Sequence, residues 1–103
     1  IDHNYVLKDH SIDKSIASIY SNITGLGVEY STDQPGIQFY TGNMMKESYN
    51  GKHDRNYGLQ YGMCLETQIF PDAINQPNFP STILKKGEKY TSNTKIKLRN
   101  DFK

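Results

Sequence analysis

Apolar and polar residues alternate with period two in one stretch of this chain after another, and no window carries an apolar stripe at helical spacing over a useful length. Asn4-Tyr5-Val6-Leu7 opens the chain with a strand-like run. Ile16, Ser18 and Tyr20 then alternate with Ala17, Ile19 and Ser21. Thr24-Gly25-Leu26-Gly27 reads as a turn or bulge. Beyond it Leu26, Val28 and Tyr30 oppose Glu29 and Ser31 in a run from Gly27 to Thr32. Asp33-Gln34-Pro35-Gly36 is a turn signal, because Pro presets φ and Gly accepts a positive φ. In the next run, Ile37 to Thr41, the residues Ile37, Phe39 and Thr41 face away from Gln38 and Tyr40. Residues 46–58 are polar and rich in Gly and Asn, which predicts a surface loop. Gly62 to Phe70 alternates again, with Met63, Leu65 and Thr67 opposing Cys64, Glu66 and Gln68. Pro71 to Pro80 holds three prolines and excludes both a helix interior and a central strand. Lys85-Lys86-Gly87-Glu88 predicts a turn before a last run, Tyr90 to Leu98, with Thr94, Ile96 and Leu98 on one face. The pattern predicts an all-β chain, arranged as an antiparallel sandwich.

Composition narrows the class. A chain of 103 residues makes at most one domain with a thin core. Eight Tyr and four Phe supply more buriable surface than a disordered chain carries. No apolar run approaches the roughly 18 residues a membrane helix needs, so no membrane partner is expected. Twelve Lys and Arg against eleven Asp and Glu leave a net charge of +1, which argues against nucleic acid. The basic stretch from Lys85 to Lys103 is broken by Glu88 and Asp101. The single Cys64 excludes an internal disulfide framework and suits a reducing compartment, so a cytoplasmic location is expected. The start, Ile1-Asp2-His3, is neither Met nor a signal peptide and opens directly on a strand, so a piece of a longer protein is expected.

Little of the sequence carries chemistry by spacing alone. His3, His10 and His53 lack ligand spacing, so no metal site is expected. No glycine-rich phosphate loop or nucleophile elbow is present. Cys64, between Met63 and Leu65 on a strand, reads as a small buried hydrophobe rather than a nucleophile. Glu66 sits in a strand otherwise fit for burial, where a carboxylate needs a partner or a wet cleft and where desolvation makes it a better base. Gln38 stands between Ile37 and Phe39, and its amide can donate and accept at once, which suits sugar hydroxyls. Asp2 leads a polar trio with His3 and Asn4. Taken singly, a solvent-facing residue on a half-exposed strand or chain end is the more ordinary reading of each of the three.

Longer motifs change that balance. Pro35-Gly36-Ile37-Gln38-Phe39-Tyr40-Thr41-Gly42-Asn43 resembles the P-G-x-Q-F-Y-T-G-N segment of the aldose 1-epimerases, the galactose mutarotases. Gly62-Met63-Cys64-Leu65-Glu66-Thr67-Gln68, followed by Phe70-Pro71-Asp72-Ala73 and Asn75-Gln76-Pro77-Asn78-Phe79-Pro80, resembles the family's G-x-C-L-E-T-Q … P-D-x-x-N-Q-P-x-F-P block. Asp2-His3-Asn4-Tyr5-Val6-Leu7 resembles D-H-N-[FY]-x-L, and Gly87-Glu88-Lys89-Tyr90 resembles the P-G-E-x-Y turn, with Lys86 where Pro is usual. The motifs run in the family's order over nearly the whole chain.

The resemblance implies the C-terminal portion, residues 1–103, of a single mutarotase-type β-sandwich domain. It implies interconversion of the α and β anomers of aldoses such as galactose and glucose, without metal or organic cofactor. By motif position Glu66 is the general base, and Asp2 and Gln38 bind the sugar. The family's histidine acid, its second histidine and its substrate-contacting Asn and Arg come from the N-terminal half of the domain, which is therefore an expected partner. None of His3, His10 and His53 lies in the acid's motif, so these residues alone are expected to be inactive. A relative acting on a phosphorylated hexose, a non-catalytic carbohydrate binder and a purely structural β-module are the competing readings.

Overall fold

The computed structural model describes residues 1–46 and 49–102. Eight strands account for nearly all of the regular structure: β1 (Asp2–Val6), β2 (Ala17–Tyr20), β3 (Gly27–Thr32), β4 (Gly36–Tyr40), β5 (Tyr49–Asn50), β6 (Asn56–Tyr57), β7 (Cys64–Gln68) and β8 (Thr94–Arg99). Two short 3₁₀ turns, Lys52–Asp54 and Ala73–Asn75, complete it. The protein is all-β and antiparallel throughout, as the alternation predicts.

The strands form two three-stranded sheets and a small hairpin. The first sheet has the order β1-β4-β7, the second β2-β3-β8, and β5 pairs with β6. The first sheet turns Tyr5, Ile37, Phe39 and Leu65 toward the second. They share an apolar cavity of about 350 Å³ with Leu7, Ile16, Ala17 and Ile19. A hydrogen bond between the hydroxyls of Thr67 and Thr94, 2.6 Å long, ties the two sheets at one end. Period two therefore does its usual work: each strand sends one set of side chains inward and the other out.

The inward face is not filled. Ile37 and Ala73 are the only buried hydrophobic residues among those described. Ile96 and Leu98 of β8, Leu26 and Met63 are all exposed, Leu98 at 78%. The radius of gyration is 16.6 Å, where a compact chain of this length measures about 13 Å.

The most enclosed point is polar and lies where the chain passes from β3 in one sheet to β4 in the other. Thr32 is fully buried, with Ser31 and Gln34 close behind. Gln34 donates from its backbone to Thr32 Oγ1 (3.1 Å) and accepts from the Tyr90 hydroxyl (3.0 Å). The Asp33 carboxylate accepts from the backbone N–H of Asn93 (3.0 and 3.1 Å), from its side-chain amide (2.8 Å) and from Gln34 (2.9 Å). These hydrogen bonds, the Asn93 backbone first, lower the Asp33 pKa to about 2.

Several sequence expectations change here. Cys64, expected to be buried, is exposed, because it shares the outward parity of Glu66. The turn at 33–36 joins the sheets, and Gly36 belongs to β4 and does not use a positive φ. It is needed for space: a Cβ there would stand 2.8 Å from Asn4 Oδ1 and 3.0 Å from the Phe70 ring. The last run begins its ladder at Thr94, not Tyr90, because side chains of Tyr90 and Asn93 dock on Gln34 and Asp33 instead. The predicted loop at 46–58 contains the β5–β6 hairpin, and its residues 47 and 48 lie outside the described residues. Gly25 at the β2–β3 turn does adopt a positive φ, +74°.

Candidate functional site

The outward face of the first sheet is polar because strand register aligns residues of one parity. Asn4 of β1 pairs with Gln38 of β4, and Gln38 pairs with Glu66 of β7. Directly opposed Cβ atoms in such pairs lie about 4.5–5.5 Å apart. One step along, Asp2 pairs with Tyr40, and Tyr40 with Cys64; on the other side Gly36 pairs with Gln68. The three sequence-predicted residues, Asp2, Gln38 and Glu66, thus come from three adjacent strands to one face. All three line an open cavity of about 390 Å³, with Tyr40, Met44, Gln68 and Pro71.

The face is cross-linked by side chains. Gln38 Nε2 donates to Asp2 Oδ1 at 2.6 Å. Gln68 Nε2 donates to Gln38 Oε1 at 3.3 Å and to Asn4 Oδ1 at 3.1 Å. Glu66 is exposed and accepts no hydrogen bond from the other described residues, so its carboxylate faces the open cavity. The drier surroundings that favour a carboxylate base are not supplied by these residues.

Two loops frame the cavity. The Tyr40 hydroxyl accepts from the Met44 backbone N–H at 2.9 Å, which fixes the chain after β4. Beyond β7, Asp72 takes a left-handed conformation (φ 61°) that Asp tolerates. Its carboxylate accepts from Asn75 Nδ2 (2.6 Å) and Gln76 Nε2 (2.8 Å), and these bonds hold its pKa below the usual carboxylate value. The D-x-x-N-Q spacing is thereby explained: it closes a rigid 3₁₀ turn next to Pro71 at the cavity edge.

The histidines lie elsewhere. His3 has the opposite parity to Asp2 and shares its cross-strand row with Phe39 and Leu65 on the inward face. His10 and His53 are exposed and do not line the cavity. Among the described residues no cluster of three or more His, Cys, Asp or Glu could hold a metal ion, and no helix is long and apolar enough to cross a membrane. The sequence did not single out Asn4, Gln68, Met44 or Pro71 as site residues; parity with Asp2 and with Glu66, each two positions away on the same strand, was the available signal for the first two.

An all-β, antiparallel chain presenting a carboxylate and amide face over an open cavity is the class defined so far. Residues 1–97 match the aldose 1-epimerase family, and the chain belongs to it. It is similar to the galactose mutarotase of Rattus norvegicus, with 44% identity over 97 residues, which cover 94% of this chain and 28% of that protein. The galactose mutarotase of Homo sapiens is 43% identical over the same shares. The aldose 1-epimerase of Escherichia coli (strain K12) is 30% identical over 100 residues, covering 94% of this chain and 29% of that protein. The chain thus spans somewhat over a quarter of the length of the curated relatives it matches.

Proposed function

We propose that these residues form the C-terminal part of a mutarotase-type β-sandwich that interconverts the α and β anomers of free aldoses such as galactose and glucose, in the cytoplasm. The observation that carries this reading is the convergence of Asp2, Gln38 and Glu66 from three neighbouring strands on one open polar cavity. The relatives' names, galactose mutarotase and aldose 1-epimerase, support the substrate class. The unfilled inward faces support a larger sandwich in which further strands cover them.

Glu66 takes the proton of the anomeric hydroxyl. The freed electron pair forms the carbonyl at C1 as the bond from C1 to the ring oxygen breaks. The ring oxygen takes a proton from an acid outside these residues. Rotation about C1–C2 and reversal of the steps deliver either anomer. Asp2 accepts from sugar hydroxyls, Gln38 donates its remaining N–H, and together they hold C1 over Glu66. None of His3, His10 and His53 lines the cavity, which supports the reading that the acid comes from outside residues 1–103 and that these residues alone are inactive.

Polarimetry on freshly dissolved α-galactose tests the proposal. In the full-length protein Glu66→Gln is expected to cut kcat by about 10²–10⁴-fold, the usual worth of a general base. The 103-residue chain is expected to give no rate above the spontaneous one. Unchanged turnover in Glu66→Gln overturns the assignment.

A further inference from the structure

We infer that Gln68, anchored on Asn4, is a positioning residue that holds the amide of Gln38 in the orientation Asp2 selects; this rests on the reading of Gln38 as a sugar-binding residue. Asp2 is the one member of the network whose hydrogen-bonding role is unambiguous. An ionised carboxylate only accepts hydrogen bonds. The group 2.6 Å from Asp2 Oδ1 must therefore be the Gln38 nitrogen. That choice turns Gln38 Oε1 the other way, toward Gln68, which must then present its own nitrogen at 3.3 Å. The second hydrogen of the same nitrogen goes to Asn4 Oδ1 at 3.1 Å. Each amide orientation follows from the last, across three strands.

Backbone packing makes room for this arrangement. Asn4 Oδ1 sits over Gly36, where any Cβ would stand 2.8 Å from it. Gly36 and Gln68 are cross-strand partners, and the space the glycine leaves is taken by Asn4 Oδ1, which accepts from Gln68, and by the Phe70 ring. Three motif positions with no assigned role, Asn4, Gly36 and Gln68, thereby serve one purpose. With Gln38 Oε1 and one Nε2 hydrogen engaged, the other hydrogen is left for ligand, beside the free Oδ2 of Asp2. A sugar hydroxyl there can accept from Gln38 and donate to Asp2 at once. Without Gln68 the bond to Asp2 alone would hold the amide, Gln38 Oε1 would lose its donor, and the side chain would be held less firmly for that pairing.

The test uses galactose kinetics in the full-length protein with Gln38→Met, Gln68→Met and the double variant. Gln68→Met keeps the length of the side chain but donates nothing. It is expected to raise KM about 5- to 10-fold, the size of one neutral hydrogen bond, with kcat changed much less. The double variant is expected to match Gln38→Met alone, because Gln68 acts only through Gln38. Additive losses, or an unchanged KM in Gln68→Met beside a raised one in Gln38→Met, overturn the positioning role and leave the sugar-binding reading standing. An unchanged KM in Gln38→Met overturns both. Gln68→Glu supplies a second measurement if Gln68→Met fails to fold. Its carboxylate cannot donate to Gln38 Oε1 at neutral pH, but its protonated form can. Galactose affinity relative to wild type is therefore expected to recover as pH falls through the range of an ordinary Glu, about 4.3. A flat ratio across that range overturns the proposal.

Discussion

The two faces of the β1-β4-β7 sheet are built on the same three strands and differ in how complete they are. The outward face is cross-linked by these residues: named hydrogen bonds join Asp2, Asn4, Gln38 and Gln68, while Glu66 stays open to the cavity. The inward face is unfilled, since only Ile37 is buried there while Tyr5 remains exposed beside the intersheet cavity. Hydrogen-bonded networks need a few partners at the right register, which three strands supply. Apolar burial needs area on all sides, which three strands facing three others leave open. A polar network can thus be joined up within a segment whose core is left unfilled.

The contrast can be broken most forcefully at the glycine that serves the polar face. Gly36→Val would drive its side chain into Asn4 Oδ1 and the Phe70 ring. An overpacking loss of about 1–3 kcal/mol is expected in thermal melts of the full-length protein. A melt like wild type would mean that Asn4 yields easily.

Acid sharpens the comparison at the corner between the sheets. Asp33 has a pKa lowered from 3.8 to about 2 by its bonds to Asn93 and Gln34. A depressed carboxyl stabilises the fold fully above its unfolded value, and that contribution is lost as pH falls through the folded one. Exchange protection of the Asn93 amide is therefore expected to hold down to about pH 3.8 and to fall toward pH 2. Asp33→Asn should abolish that step, and a step that persists in the variant would assign it to another group.

The smallest effect is expected on the open apolar face. Leu98 is 78% exposed, so Leu98→Ser should change the stability of the 103-residue chain by no more than about 0.5 kcal/mol. In the full-length protein the same change should cost more if further strands cover β8. Equal effects in the two would remove the case for such a cover.

Parity was legible in the sequence. Alternation around Gln38 and Glu66 put both residues opposite their apolar neighbours, and the ladder sets them side by side. What alternation could not carry is which strands become neighbours. Residues 36 positions apart, such as Asp2 and Gln38, meet through pairing that no local pattern encodes. The stretch at 33–36 reads locally as a turn whatever it connects, and only the structure has it leaving one sheet for the other. Likewise Tyr90 to Asn93 alternates like a strand, yet its side chains find better partners on Asp33 and Gln34 than its backbone finds on β3.

The Met44 amide hangs from the phenol of Tyr40, itself rooted in the central strand. One hydrogen bond thereby joins the rim of the cavity to its floor, and the reach of an aromatic ring sets how far the backbone at Met44 stands from the central strand.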